Sequence, residues 1–537
     1  MELSRRNFLK GGALSAAGLT LAGLAACAPA GSMAPVASGD EEAAMAQTGS
    51  GMFDSGIETE LSLADAAHEV DVVIIGGGAA GMAAAAEAGE QGLNALLVEA
   101  TAAVGGTTQF AEGIAGVSTP IQQKLGVKNS VQELVDAEMV FSNYCAEAGL
   151  IRNYLEETDV NIAWLQDLGV EFFEDVLGGT TQHMYVGQGK AMIEVLDGYV
   201  KEKGVQILTN TKAKRLFMDG SKVTGLLCED SQGADVIIRA DAVVMACGGY
   251  IQNDEMVDAL QRFSHDRVKI TANAGHDGAH MNMAYSAGAD RSGITLMHFI
   301  WCALDSFDLH SELSTAACNE GYFWVNHLGE RFCDESLTRN PSCIDNIVLN
   351  QKRAFAVLTD TEAKRLAIEG CAVGWGSYIF AGSKMENLEA ELAEAKQAVP
   401  EGFFYGETLD ELASALEVSA DTLKKTVSNY NAMVAAGADT DFGKQAPFLH
   451  EVPESGPFYA FELKCSAFCT MGGIRVNREN EVLDANFEPI AGLYCAGVDC
   501  SGLQGTTYCM GIAGGAQGYA VYSGRNAVRN AKNYLGK

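Results

Sequence analysis

Short apolar runs that end in glycine recur along this chain, and they outline a scaffold before any chemistry is considered. From Val70 the sequence reads VDVVIIGGGAAGMAAAAEAGEQGLNALLVEA. Five apolar residues, rich in β-branches and broken only by Asp71, predict a strand buried on both faces of a parallel sheet. The alanine-rich stretch that follows predicts a helix, and the next apolar run predicts a second strand ending at Glu99. DAVVMACGGY, from Asp241 to Tyr250, predicts a strand running into a glycine pair, and GLYCAGVDCSG, from Gly492 to Gly502, a late strand ending in Gly497 and Asp499. ESGPFYAFELK, from Glu454 to Lys464, predicts a strand that returns the chain from an insertion. RFCDESLTRN, residues 331 to 340, reads as the end of a β-hairpin and leaves Arg339 just past two carboxylates. A surface ion pair at that point would be worth little.

Composition narrows the class. A chain of 537 residues, 48% hydrophobic and 20% charged, suits two globular domains. Its net charge of −34 argues against nucleic acid as a partner, because phosphate binding needs concentrated Lys and Arg. The acidity suits an extracytoplasmic enzyme that docks a basic protein. SRRNFLK, Ser4 to Lys10, sets two arginines before a Phe-Leu pair, and a mildly apolar run from Gly11 to Ala26 follows. That run is too short and too weakly hydrophobic for a membrane span, so residues 1–27 read as a twin-arginine export signal. The run ends in LAAC, which resembles a lipobox and makes Cys27 a candidate for lipidation and membrane attachment; plain cleavage nearby is the alternative. Residues 28–69 read as a tether.

Fourteen cysteines include no CxxCH, so no c-type haem is expected on this chain. Cys465, Cys469, Cys495, Cys500 and Cys509 match no zinc or iron–sulfur spacing. They read as buried thiols, and no metal is expected.

The strongest chemical motif is Gly76, Gly78 and Gly81, a GxGxxG between the first strand and its helix. Such glycines allow a tight turn and let a pyrophosphate approach the helix N-terminus, where free N–H groups favour negative charge. Glu99, about twenty residues on, suits the ribose hydroxyls. VGGTTQFAEG, Val104 to Gly113, adds Gly106, Thr107 and Thr108, which can reach phosphates and flavin. A sheet assembled from both ends of the chain over one long cofactor favours FAD over NAD. From Val70 to Asn530 the chain resembles the FAD-binding family of soluble fumarate reductases of the flavocytochrome c type, urocanate reductase and 3-ketosteroid dehydrogenases. That resemblance implies flavin contacts at Ala80, Glu99, Thr107, Thr108, Gly113, Ala213, Asp277 and Asp499. Ala213 lies in TNTKAKRL, Asp277 in GHDGAH, and Asp499 stands where the family has Glu.

The same resemblance bears on Arg339. STAACNEGYFWVNHLGERFCDESLTRN, Ser314 to Asn340, follows without a gap the fumarate reductase run written TEAVRGNG…VNxxGxRFxNExxTRD, and sets Arg339 on the catalytic arginine. In that chemistry flavin delivers hydride to an activated C=C bond and the arginine protonates the neighbouring carbon, which demands burial and neighbouring charge. The family's Glu and Arg proton relay is replaced by Thr315 and Cys318. HHTMGG becomes FCTMGG, putting Phe468 and Cys469 where two histidines stood, and HGANRLGG becomes QGTTYCMGIAGG, without its carboxylate-binding arginine. Loss of both anion donors argues against fumarate as the substrate. Tyr508 falls where ketosteroid dehydrogenases use a tyrosine, so Phe468, Cys469 and Tyr508 are expected to shape a larger, less charged pocket, with Tyr508 also a catalytic candidate.

The expected architecture is α/β: a Rossmann-like FAD-binding domain from residues 70–296 and 470–530, with an inserted α+β capping domain at 297–467. The expected function is an exported reductase of an α,β-unsaturated compound, fed by a separate haem or flavin protein. A ketosteroid-type dehydrogenase and an electron-transfer flavoprotein without small-molecule turnover are the alternatives.

Overall fold

The computed structural model describes residues 62–177 and 181–537; the twin-arginine segment, Cys27 and most of the expected tether lie outside the described residues. Five parallel strands form the centre of the main sheet, in the order Pro489–Cys495, Asp235–Met245, His68–Ile75, Ala95–Val98 and Gln206–Leu208. Both ends of the chain therefore contribute to one sheet. The first strand begins at His68, two residues before the apolar run, because His68 and Glu69 pair with Ile238 and Arg239 at a polar margin that hydrophobicity does not mark.

The helix Ala79–Glu90 is buried from Ala79 to Ala88. Alanine lets it approach the last helix, Gly515–Leu535, so closely that a Cβ on Gly524 would stand 2.1 Å from the Ala80 carbonyl oxygen. The sheet carries separate apolar clusters, one around Val73, Val243 and Tyr519 and one around Val72, Ile74 and Val244, as side-chain alternation along buried strands requires.

A long antiparallel ribbon, Arg291–Ala303 with Lys464–Ile474, joins this part to the rest. The expected limits at 296/297 and 467/470 fall inside these two strands. Between them, Phe323–Asn326, Ala354–Thr359, Phe458–Glu462 and Phe403–Gly406 form a four-stranded antiparallel sheet with its own apolar core. The strand expected in ESGPFYAFELK is an inner strand of this sheet.

The hairpin expected at residues 331–340 is corrected. Phe323–Asn326 pairs with Ala354–Thr359, and Glu335–Arg339 is a 3-10 turn leading into the helix Pro341–Leu349. Polar bonding explains why. Glu335 is buried and takes Arg331, whose Nη2 lies 2.7 Å from Glu335 Oε2 and 2.9 Å from Asp439 Oδ2. Asp334 accepts from the backbone N–H of Ser336 at 2.9 Å, capping the turn. Neither carboxylate is left for Arg339.

Candidate active site

A cavity of about 320 Å³ opens at the carboxyl ends of the parallel strands, where ligands bind in open α/β sheets. Its two ends are built differently. At one end the backbone predominates. Gly76 holds φ +100°, and a Cβ there would meet the Ala246 carbonyl oxygen at 2.2 Å. A Cβ on Gly78 would meet nothing closer than Thr108 Oγ1 at 3.8 Å, so the space before the helix N-terminus is open. No side chain caps that helix through Gly78; Thr108 Oγ1 takes the Ala79 N–H at 3.0 Å. Glu99 is fixed by both oxygens: Oε2 accepts from Gly77 N–H, and Oε1 from the N–H and hydroxyl of Thr101, each at 2.7 Å. Burial opposes ionisation of Asp277, but Lys212, 2.5 Å away, and the Ala279 N–H hold its carboxyl below the usual range. An open cradle before a helix N-terminus, followed by a fixed acid, fits a dinucleotide whose pyrophosphate lies over Gly78 and whose ribose lies at Glu99.

At the other end side chains predominate, and most are aromatic. The rings of Trp301 and Trp375 lie 4.3 Å apart, those of His310 and Tyr378 3.9 Å, and those of His298 and Tyr508 3.9 Å. Phe468 meets the His298 ring at 5.6 Å. The ribbon delivers several of these groups through register shifts between His298 and Phe299 and between Phe299 and Cys302. A bulge re-aims side chains, and here His298, Ile300 and Trp301 all reach the cavity, Trp301 with φ +29°. Burial pushes the His298 imidazole down to about 3, so it is neutral at ordinary pH. Burial also pushes the Tyr508 phenol up, against backbone N–H groups of residues 514–516 that favour its anion.

The model of the FAD binding domain matches residues 71–513, from the first strand to the segment after Tyr508. The chain belongs to the FAD binding domain family. Its cofactor is accordingly FAD, and residues 2–22 match the twin-arginine translocation pathway signal sequence, which directs export. The vinyl phenol reductase of Lactiplantibacillus plantarum is 35% identical over 478 residues, covering 86% of this chain and 96% of that protein. The open conformation of a flavocytochrome c3 fumarate reductase superposes with a TM-score of 0.68 at 25% identity, covering 88% of this chain and 79% of that one. A 3-ketosteroid Δ1-dehydrogenase from Sterolibacterium denitrificans superposes at 0.70 with 18% identity, covering 88% and 100%, which shows the shared fold.

As a member of this FAD-binding family, the chain brings nearly all of the residues singled out from sequence to one cavity. Gly81, Asp499 and Arg339 are the exceptions among the described candidate cofactor, catalytic and substrate residues, and Thr315 and Cys318 also lie outside the lining. Gly81 acts behind the lining: a Cβ there would stand 1.8 Å from the Gly76 carbonyl oxygen. Asp499 is fully buried and accepts backbone N–H groups of Cys247, Gly248 and Gly249 at 2.5, 2.9 and 2.8 Å, so it braces the glycine pair while Gly497 and Val498 line the cavity. Cys247, His280 and Asp499 bring ligand atoms within 4.8 Å of one another, a grouping the cysteine spacings did not suggest.

The burial expected for Arg339 is corrected. Its side chain is exposed, with the guanidinium 4.5 Å from the Phe448 ring centre and Nε donating to the Ser336 carbonyl at 3.2 Å. Its neighbours touch the cavity instead: Pro341 lines it, and the Thr338 carbonyl accepts from the Trp301 indole at 2.6 Å.

Sequence reasoning missed Glu112, His276, His298, Trp301, His310, Trp375 and Tyr378, all of which line the cavity. His276 bridges Thr107 Oγ1 at 2.8 Å and the Gly248 carbonyl at 2.5 Å. Its signal was the histidine inside GHDG, and that of Glu112 was an acid inside a Gly/Thr-rich run.

Proposed function

We propose that this exported flavoprotein reduces a C=C bond conjugated to an aromatic ring. The observation that carries this reading is the aromatic end of the cavity, joined to the dinucleotide end with no arginine among the described residues that line it. Lys212, the one lysine among the described lining residues, is paired with Asp277. A dicarboxylate would therefore find no cationic partner there, while a flat apolar ring would find Trp301, Trp375 and Phe468. The similarity to a vinyl phenol reductase over nearly its whole length supports the same class.

FAD held by the cradle of residues 76–81 and by Glu99 would, once reduced, supply hydride to one alkene carbon. The chain's own residues do the rest. Tyr508 holds a proton on its phenolic oxygen, beside N–H groups that stabilise the charge left when the proton moves. His298, neutral and packed at a tilt against Tyr508, fixes the ring, and the wall of Trp375 and Tyr378 excludes water. Arg339 is the second proton donor to weigh, favoured by the gap-free run from Ser314 to Asn340 and by its place two residues before the rim residue Pro341; it would have to leave Phe448 first. Electrons come from a separate haem or flavin protein, and Cys27 anchors the enzyme through lipid at the outer face of the membrane.

The test is anaerobic oxidation of a reduced viologen dye by the FAD-loaded enzyme with 4-vinylphenol, a cinnamate, fumarate, urocanate and a steroid enone. Turnover of the aryl alkenes without fumarate is the expected result. Silence on all five, with dye reduction by a saturated ketosteroid, assigns the dehydrogenase direction.

A further inference from the structure

Among the described residues one acid stands at the aromatic end. Glu112 lies between the flavin-side threonines and the loop that carries Trp375 and Tyr378, and it lines the cavity. Its Oε1 accepts the Ser377 N–H at 2.7 Å and the Ser377 hydroxyl at 3.2 Å, which fixes the carboxyl plane. The loop has been shaped to receive it, since a Cβ on Gly376 would stand 2.0 Å from Oε1. Among the described residues no group donates to the other oxygen, Oε2. An acceptor at the cavity wall that no protein group engages is available to a donor on a ligand. Burial raises the carboxyl, against the two Ser377 contacts, as is expected of an acid enclosed by rings.

The other two acids in the lining, Glu99 and Asp277, are held by Gly77, Thr101 and Lys212 at the dinucleotide end. We infer that Glu112 is the specificity-determining residue of this site, accepting at Oε2 a hydroxyl carried by the aromatic ring of the substrate. This deepens the proposed function and rests on that reading of the cavity. The class it selects is a hydroxylated aryl alkene. A ring carrying a carboxylate at the same place meets a second anion in a low-dielectric wall, and a methyl ether offers no hydrogen at all.

Glu112→Gln turns the preference around without changing size. The Ser377 N–H keeps the amide oxygen, which leaves the amino group facing the ligand. The experiment titrates the oxidised holoenzyme, with no electron donor, with 4-vinylphenol and with 4-methoxystyrene, reading Kd from the flavin visible spectrum. The native enzyme is expected to prefer the phenol by about 10- to 100-fold, the range of a hydrogen bond to a charged group. In Glu112→Gln the ratio is expected to fall to about one or below. Glu112→Asp, which keeps the charge but falls one methylene short, is expected to lose most of the preference and covers the case in which the glutamine variant does not hold flavin. A native ratio near one, or a ratio unchanged in both variants, overturns the inference even if aryl alkenes are reduced. Selective binding without any viologen-driven reduction leaves the role of Glu112 standing and sinks the reductase reading instead.

Discussion

The two ends of the cavity present opposite ways of building a site. The dinucleotide end is made by main chain: Gly76, Gly78 and Gly81 give turn, space and close approach, and the side chains there mostly brace backbone. The aromatic end is made by side chains from segments as far apart as Glu112, His298, Trp375 and Tyr508, each aimed by its own local device. The first end recognises a ligand common to many enzymes and tolerates little change. The second can be repainted one residue at a time, so differences in substrate are concentrated there.

The sharpest way to break this contrast is at Gly81. Gly81→Val drives a side chain into the Gly76 carbonyl, and the purified protein is expected to contain essentially no flavin by absorbance. Tyr508→Phe belongs to the other end and should keep a full complement of FAD. Its turnover with reduced viologen and 4-vinylphenol should fall about 100- to 1,000-fold, the usual scale for removing a proton donor. Trp375→Ala removes one face of the ring slot; KM for an aryl alkene should rise about tenfold with flavin content unchanged. Arg339→Ala should alter turnover by no more than about threefold, since its guanidinium lies exposed over Phe448 and outside the cavity lining. If Tyr508→Phe is mild and Arg339→Ala severe, the proton comes from the rim.

The smallest effect concerns what stands behind the aromatic end. Glu138 is buried next to Cys509, and burial pushes its carboxyl up from 4.5 to about 7. Between those values the folded chain keeps a proton that the unfolded chain has released, so Glu138 lowers stability as pH rises from about 4.5 to about 7, and the deficit persists above that. Glu138→Gln should raise Tm at pH 8, by an amount equivalent to about 1 to 3 kcal/mol, and have little effect at pH 4.5. Thermal unfolding of both proteins at the two pH values measures it.

How much of this was legible in the sequence follows from the same contrast. Backbone sites leave motifs, because a tight turn and a close approach demand glycine at fixed spacing; hence Gly76 to Glu99 could be read directly. A strand start was misjudged where the first rungs are polar, at His68. The aromatic end leaves no spacing rule. Phe468, Cys469 and Tyr508 were reached only through resemblance, while Trp301 depends on a bulge and Trp375 on a loop pinned by Glu112, neither of which has a periodic signature. Arg339 shows the limit of resemblance. The run around it matches without a gap, yet Arg331 and Ser336 have engaged the carboxylates beside it.

The ribbon has a consequence for descent. Ala303 and Lys464 face each other on paired strands, as do Cys302 and Cys465, so the chain departs and comes back across a single rung. Everything between can be exchanged for a foreign segment through one covalent junction, provided the segment also meets Glu112 and Trp301, much as insertions are tolerated where two ends lie close together. Recombination at that rung would transplant Trp375, Tyr378 and His310 as a unit and leave Gly76 to Asp277 untouched. A lineage holding this scaffold can acquire a new diet by grafting, without ever passing through an ancestor that has lost its flavin.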